Sequence, residues 1–490
     1  MGINLFRFFV LTVFTVLLSN RLVYGFSIPQ KYESNLLIKN IIEIKRFSKS
    51  EIDSNSFVEI KKKEWSACHQ DKQLKILEIG TDESEIYNFL GNKEPLSNLE
   101  NMETQKLQQG HSIKQAWSGD YWAYAKGILA DRYLEPEFMA LFDWNTRYQY
   151  VQKFPAQIIL EKSGQDSVAY LSPSEKYDLI VGDNSFSLTN VMWKNGKKYF
   201  DATGNVEGWM GICHGWAAAA IMEPRPEHSF DILSYDQKWK IHLNPSEIKG
   251  LVSFNWANNS FPMLSLGERC DKKNPKRDAN GRLTDPACFD LNPATWHLAV
   301  VNQLGQNGLS FVMDATYDYE VWNQPVVEYS YTYFNVNTNL PAENLQQASV
   351  QRKDLEKDKY AKYRSKNFNS IVGISMKVGY ADENSSNAAE TDSVEHDVIR
   401  WVQYEYDLEI NSAGEAIGGE WHEVIHPDFI WTPKANVQPK SPYEGKLVAK
   451  DWADDAVSIP EKWSKAAAIS SSNGFILDII TSGLLKKSIQ

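Results

Sequence analysis

Apolar and polar positions alternate most regularly in the last third of the chain. Residues 371–381 (IVGISMKVGYA), 396–410 (HDVIRWVQYEYDLEI) and 420–431 (EWHEVIHPDFIW) predict strands, which we group as a β-rich module spanning 346–490. The charged stretch 350–370 reads as a surface helix or linker leading into it. Residues 117–155 (WSGDYWAYAKGILADRY onward) are helical in pattern and rich in aromatics. Residues 26–110 are charged and amphipathic, without a chemical cluster, and by position alone suggest a pro-segment that covers a cleft. Near the C-terminus Phe475–Leu485 predicts a packed helix. The core is placed at 111–345, and the mixture predicts an α+β protein.

The first residues set the compartment. A short basic segment, Met1 to Arg7, precedes the apolar run Phe8–Leu18, and Val23-Tyr24-Gly25 offers a cleavage site. The run is shorter than the roughly 20 apolar residues a membrane-spanning helix needs, so 1–25 reads as a signal peptide and the mature protein as secreted. With 490 residues the chain is long enough for two or three domains. The net charge of −12 argues against a nucleic-acid partner and against a surface built for anionic lipid.

Four cysteines narrow the chemistry: Cys68, Cys213, Cys270 and Cys288. Cys270 and Cys288 flank a polar loop and are expected to close it as a disulfide. The other two fit either a second disulfide or a reactive thiol. Around Cys213 the chain reads Gly208-Trp209-Met210-Gly211-Ile212-Cys213-His214-Gly215-Trp216, followed by four alanines. Glycines leading into a run of helix formers place Cys213 at a helix N-terminus, where the dipole favours a thiolate and backbone N–H groups can hold an oxyanion. Downstream, residues 294–301 (ATWHLAVV) form a β-prone run carrying His297. An Asn-Gly turn signal at 307–308 follows, then LSFVMDAT with Asp314. Read as two paired strands, these residues make His297 and Asp314 cross-strand neighbours. The order Cys, His, Asp then fits a thiol nucleophile, its base and an orienting acid.

Three blocks resemble the transglutaminase elicitor family of oomycete cell-wall proteins and bacterial homologues: Met210–Ala217, Trp296-His297, and Val321-Trp322-Asn323-Gln324-Pro325-Val326. Asp120-Tyr121-Trp122, residues 173–178, Gly418–Trp421 and His426–Phe429 are weaker matches. The resemblance implies a papain-like core, with a nucleophile helix packed on an antiparallel sheet. It also implies a protein-glutamine γ-glutamyltransferase acting on proteins that bear glutamine and on lysine or small primary amines. By position it makes Cys213 the nucleophile, His297 the base and Asp314 the acid, with Asp318 as the fallback for the acid. It brings in Trp209 or Trp193 as an indole N–H donor to the oxyanion, and leaves His214 structural or lining the cleft. After Val326 the sequence departs from the family's elicitor peptide, continuing Val327-Glu328-Tyr329-Ser330 where the family has basic residues.

Transglutaminases often use calcium, and Asp278-Ala279-Asn280-Gly281 with Asp285 gives part of a calcium-loop pattern. A third ligand and a closing glutamate are missing, so the segment reads as a solvated turn, with calcium left open as a cofactor. The same constellation also serves a papain-like cysteine protease or a glutamine deamidase, and a non-catalytic surface binding protein would keep the fold alone.

Overall fold

The computed structural model describes residues 83–490 apart from 271, 273, 286–287, 289–290, 317–318, 424, 441–446, 454 and 471–476. The signal peptide, Cys68, Asp318 and residues 26–82 lie outside the described residues. Among those described, no helix is long and apolar enough to cross a membrane.

The alternating segments do form strands, and they join one sheet. In chain order the strands are β1 (Gln109–His111), β2 (Phe230–Leu233), β3 (Lys240–Leu243), β4 (Met263–Gly267), β5 (Phe311–Asp314) and β6 (Asn323–Phe334). They continue with β7 (Pro341–Ala342), β8 (Val350–Gln351), β9 (Ser370–Ala381), β10 (Ile399–Ile410), β11 (Ala416–Gly418) and β12 (Phe429–Pro433). The main sheet runs β11-β10-β9-β6-β5-β12-β4, with β1 and β7 added to β6 and β8 to β9. Every pairing is antiparallel, and β2 and β3 form a hairpin of their own. The architecture is a mixed helical and antiparallel-sheet fold, as expected.

The expected boundary at 345/346 does not divide this sheet. β9 pairs directly with β6, and β12 lies between β5 and β4, so the strands beyond 346 complete the core sheet. The alternation announced strands but could not announce their partners. Nor is 350–370 a helix: it is β8, one short helical turn at Arg352–Asp354 and irregular chain. Residues 83–111 are also part of the core. β1 pairs with β6, and Ile86, Phe89, Leu99 and Met102 are buried against the sheet.

Side chains alternate between the faces of a strand, so the sheet has two distinct sides. Val312, Val327, Phe429 and Trp431 face a cluster built with the helices Pro173–Val181, Ser187–Thr203, Cys213–Met222 and Pro245–Asn258. Phe311, Met313, Tyr329, Tyr331 and Tyr406 face the other cluster, with the helix Pro293–Val300. That helix replaces the strand expected at 294–301. Pro293 occupies its first turn and the Asn292 side chain accepts from the Ala294 N–H at 2.9 Å, a helix start that outweighs β propensity. All of its residues are buried, so neither helical nor strand periodicity showed in the sequence.

Candidate active site

Small residues put Cys213 where it is. The helix Cys213–Met222 packs tightly on Pro245–Asn258, because a Cβ on Gly215 would fall 2.3 Å from the Ser253 carbonyl. The chain entering the helix docks on the 121–124 segment. Ile212 N–H donates to the Tyr121 carbonyl at 2.8 Å, Tyr124 N–H to the Met210 carbonyl at 2.8 Å, and the Tyr121 hydroxyl to the Gly208 carbonyl at 2.7 Å. Gly211 permits the approach, since a Cβ there would meet the Tyr121 carbonyl at 2.5 Å. Cys213 is a buried thiol at the first position of its helix, as the glycine-to-alanine pattern predicted.

The sulfur meets the start of β6. Cys213 Sγ lies 3.6 Å from the Val321 carbonyl, and the Asn323 Nδ2 donates to it at 3.4 Å. Asn323 is held in turn by the Trp431 indole N–H, which donates to its Oδ1 at 2.8 Å. Directly opposite Asn323 across the β5–β6 ladder is Asp314. Two positions along from Val312, Asp314 shares the Cys213 side of the sheet. Its Oδ1 accepts from Trp322 N–H at 2.9 Å, and from Thr316 N–H and hydroxyl at 3.2 Å each. Its Oδ2 is buried without a hydrogen-bond partner. Burial pushes the Asp314 carboxyl up to about 7, against the backbone donors and the Arg269 guanidinium, which pull it down.

A cavity of about 410 Å³ opens beside the thiol. Cys213, His214, Asn323, Arg269 and Trp431 line it together with Tyr124, Trp209, Trp256 and Phe261. An aromatic concavity with a few converging polar groups is the usual form of a ligand site.

His297 is elsewhere. The expected pairing with Asp314 fails because 294–301 is a helix and Asp314's neighbour across the ladder is Asn323. His297 is fully buried on the opposite side of the sheet, its Nδ1 hydrogen-bonded to the Tyr406 hydroxyl at 2.8 Å and its ring 4.8 Å from that of Tyr331. Neither His297 nor Asp314 is among the cavity-lining residues, but Asp314 stands opposite Asn323, which is. Burial lowers the pKa of His297 to about 3, so the ring is neutral. Of the two indoles, Trp209 lines the cavity, with its N–H donating to Glu207 at 2.5 Å. Trp193 is packed among Phe138, Trp144 and Tyr148, away from the cavity lining. His214 lines the cleft.

Cys270 and Cys288 are joined in the expected disulfide. Within its loop, Asp278–Arg282 is a closed turn: Gly281 N–H donates to the Asp278 carbonyl at 3.0 Å. Asp278 accepts from the Tyr363 hydroxyl at 2.8 Å and faces Lys362, while Asp285 is ion-paired with Lys272. With lysines already on both carboxylates, these donors do not fit a calcium ion.

A family model described as transglutaminase elicitor matches residues 95–451, nearly three-quarters of the chain. The chain belongs to the transglutaminase elicitor family. Among solved structures, this family member is similar to the crystal structure of the GP42 transglutaminase from Phytophthora sojae. The two are 20% identical, over 83% of this chain and 97% of that one, with a TM-score of 0.49. No curated protein matches it. The segment Val321–Val326, first noted as a family marker, supplies both a carbonyl and an amide to the cysteine. Sequence reasoning missed Asn323, Trp431 and Arg269 as site residues. Asn323 was within reach, because it stands in a quoted motif one strand on from Asp314.

Proposed function

We propose that this transglutaminase-family protein transfers acyl groups from protein glutamine to primary amines through Cys213, with Asp314 in place of His297 as the proton acceptor. The Cys213 thiol, ionised by loss of its proton to Asp314, attacks the glutamine γ-carboxamide. The tetrahedral intermediate expels ammonia, which takes up that proton, and leaves a γ-glutamyl thioester. A lysine or other primary amine then attacks the thioester, forming the isopeptide bond and returning the proton to sulfur. Asn323 orients the sulfur through its amide, and Trp431 fixes that amide.

The observation that carries this reading is the sharing of one side of the sheet by Cys213, Asn323 and Asp314, the first two lining the cavity and Asp314 standing opposite Asn323 across the ladder. A carboxyl held near neutrality is suited to take a proton from a thiol at a helix N-terminus. Export is supported by the disulfide, a bond that persists in oxidising compartments.

The test is incorporation of a fluorescent primary amine into casein by wild-type protein and by Cys213→Ala, Asp314→Asn and His297→Ala. Loss in the first two with retention in the third supports the proposal, and loss in His297→Ala with its fold intact restores the histidine as base. Cleavage or deamidation of casein without amine incorporation assigns a hydrolase. No reaction in any arm leaves a surface binding protein.

A further inference from the structure

We infer that Glu223 is a positioning residue for the cavity beside Cys213, and that the aromatic wall it anchors takes a large apolar side chain of the substrate, next to the reactive glutamine. The inference rests on the acyl transfer proposed for Cys213 and names the substrate class of that same site.

The wall is a run of three rings. Trp256, near the end of the helix Pro245–Asn258, lies edge-on to Phe261 with 4.8 Å between centroids, and Phe261 lies 6.3 Å from Trp431. All three line the cavity. Trp431 holds the Asn323 amide that reaches Cys213, so one end of the wall is tied to the sulfur. Glu223 fixes the other end: the Trp256 indole N–H donates to its carboxylate at 2.9 Å. Glu223 directly follows the nucleophile helix, Cys213–Met222, and its own N–H donates to the Ala219 carbonyl at 2.8 Å. The Lys114 ammonium clamps the same helix end, donating to the carbonyls of Ile221 at 3.2 Å and of Glu223 at 2.6 Å. A cation there also suits the negative end of the helix dipole. One helix thus carries the nucleophile at its start and, just past its end, the carboxylate that sets the far wall of the cavity.

The cavity's volume of about 410 Å³ lies within the usual range of ligand sites, roughly 300–1,000 Å³, and exceeds what a carboxamide alone requires. Among the described residues that line it there is no aspartate or glutamate, and Arg269 brings a positive charge. A lysine ammonium would shed its water there with no carboxylate to replace it, so the cavity suits the glutamine-bearing partner and not the amine. Its rings favour an apolar neighbour of that glutamine, above all an aromatic one, which can pack edge-to-face or offset against Trp256 and Phe261. The Glu223 carboxylate makes a charge-assisted hydrogen bond that holds the Trp256 ring in place for this packing. Removing it leaves a buried indole N–H without that acceptor, a cost that the ring relieves by moving.

The experiment uses three glutamine peptides that differ only in the residue beside the glutamine: phenylalanine, alanine or aspartate. Amine incorporation is measured for wild type, Glu223→Gln, Glu223→Leu, Trp256→Phe and the double variant Glu223→Leu/Trp256→Phe. Wild type is expected to favour the phenylalanine peptide over the alanine peptide by roughly tenfold or more in kcat/KM, the scale of burying one large apolar side chain. Glu223→Leu should lower that ratio several-fold, through KM and not kcat. Glu223→Gln, whose amide oxygen still accepts from the indole, should hold it near wild type. In the Trp256→Phe background, where the donor is gone, Glu223→Leu should change little more. A second readout needs no turnover: protection of Cys213 from iodoacetamide by the same peptides with asparagine in place of glutamine. Phenylalanine should protect wild type at several-fold lower concentration than alanine, and Glu223→Leu should lose that advantage. The same preference in wild type and Glu223→Leu overturns the role of Glu223; should that variant not fold, Trp256→Phe decides it from the donor's side. Equal use of phenylalanine and alanine by wild type, or preference for aspartate, overturns the substrate class. Protection in the expected order without amine incorporation sinks the proposed transfer and leaves the recognition standing.

Discussion

The two sides of the main sheet hold two titratable groups in opposite condition. On one side Asp314 is buried at a strand end, opposite Asn323 across the ladder, with its carboxyl pushed up to about 7. On the other, His297 is buried among tyrosines, with its pKa pushed down to about 3. Burial acts on both, and each is driven toward its neutral form. The difference lies in the neighbours. Asp314 keeps backbone donors and a cation that favour the charged form, so it stays within reach of ionisation near neutral pH. Around His297 lie a phenol and ring faces, and burial keeps its ring neutral. The side of the sheet that a group occupies thus decides which neighbours oppose the effect of its burial.

This contrast breaks most severely at the nucleophile. Cys213→Ala is expected to lower amine incorporation roughly a thousandfold or more while leaving the melting temperature close to wild type. Asp314→Asn should lower kcat by about 10²–10⁴, and the wild-type rate should rise with pH through about 7 as the carboxylate forms. The same substitution sharpens the comparison through stability. Because the folded pKa of Asp314 lies above its unfolded value, stability is lost as pH rises from about 4 to about 7. Asp314→Asn should therefore melt higher than wild type at pH 8, and the difference should shrink toward pH 5.

On the opposite side, His297→Ala is expected to cost about 3 kcal/mol of stability, read by denaturant melts, because it empties a packed aromatic site. Activity per folded molecule should stay within about twofold. The smallest effects separate the two tryptophans. Trp209→Phe should raise KM a few-fold because its ring lines the cavity, whereas Trp193→Phe should leave both kinetic constants unchanged and lower only the melting temperature.

Much of this was legible in the sequence, for reasons that can be named. Glycines before a run of alanines marked the Cys213 helix, since few other residue types permit such close backbone approach. Alternation marked β9 and β10, whose side chains stand in two environments. His297 misled because its helix is buried on every side, so no periodicity distinguished helix from strand. The Asn292-Pro293 start was the overlooked clue. The supposed module boundary failed for a different reason. β12 finds its partners more than a hundred residues back along the chain, and no local pattern reports such pairing.

That same insertion of β12 governs when the sheet can be completed. β4 and β5 are complete by residue 314, yet they touch only through a strand that ends at Pro433. During synthesis β4 and β5 cannot be joined in one sheet until the chain has been made as far as residue 433. Trp431, which holds the Asn323 amide that reaches Cys213, is therefore a late arrival at the cavity.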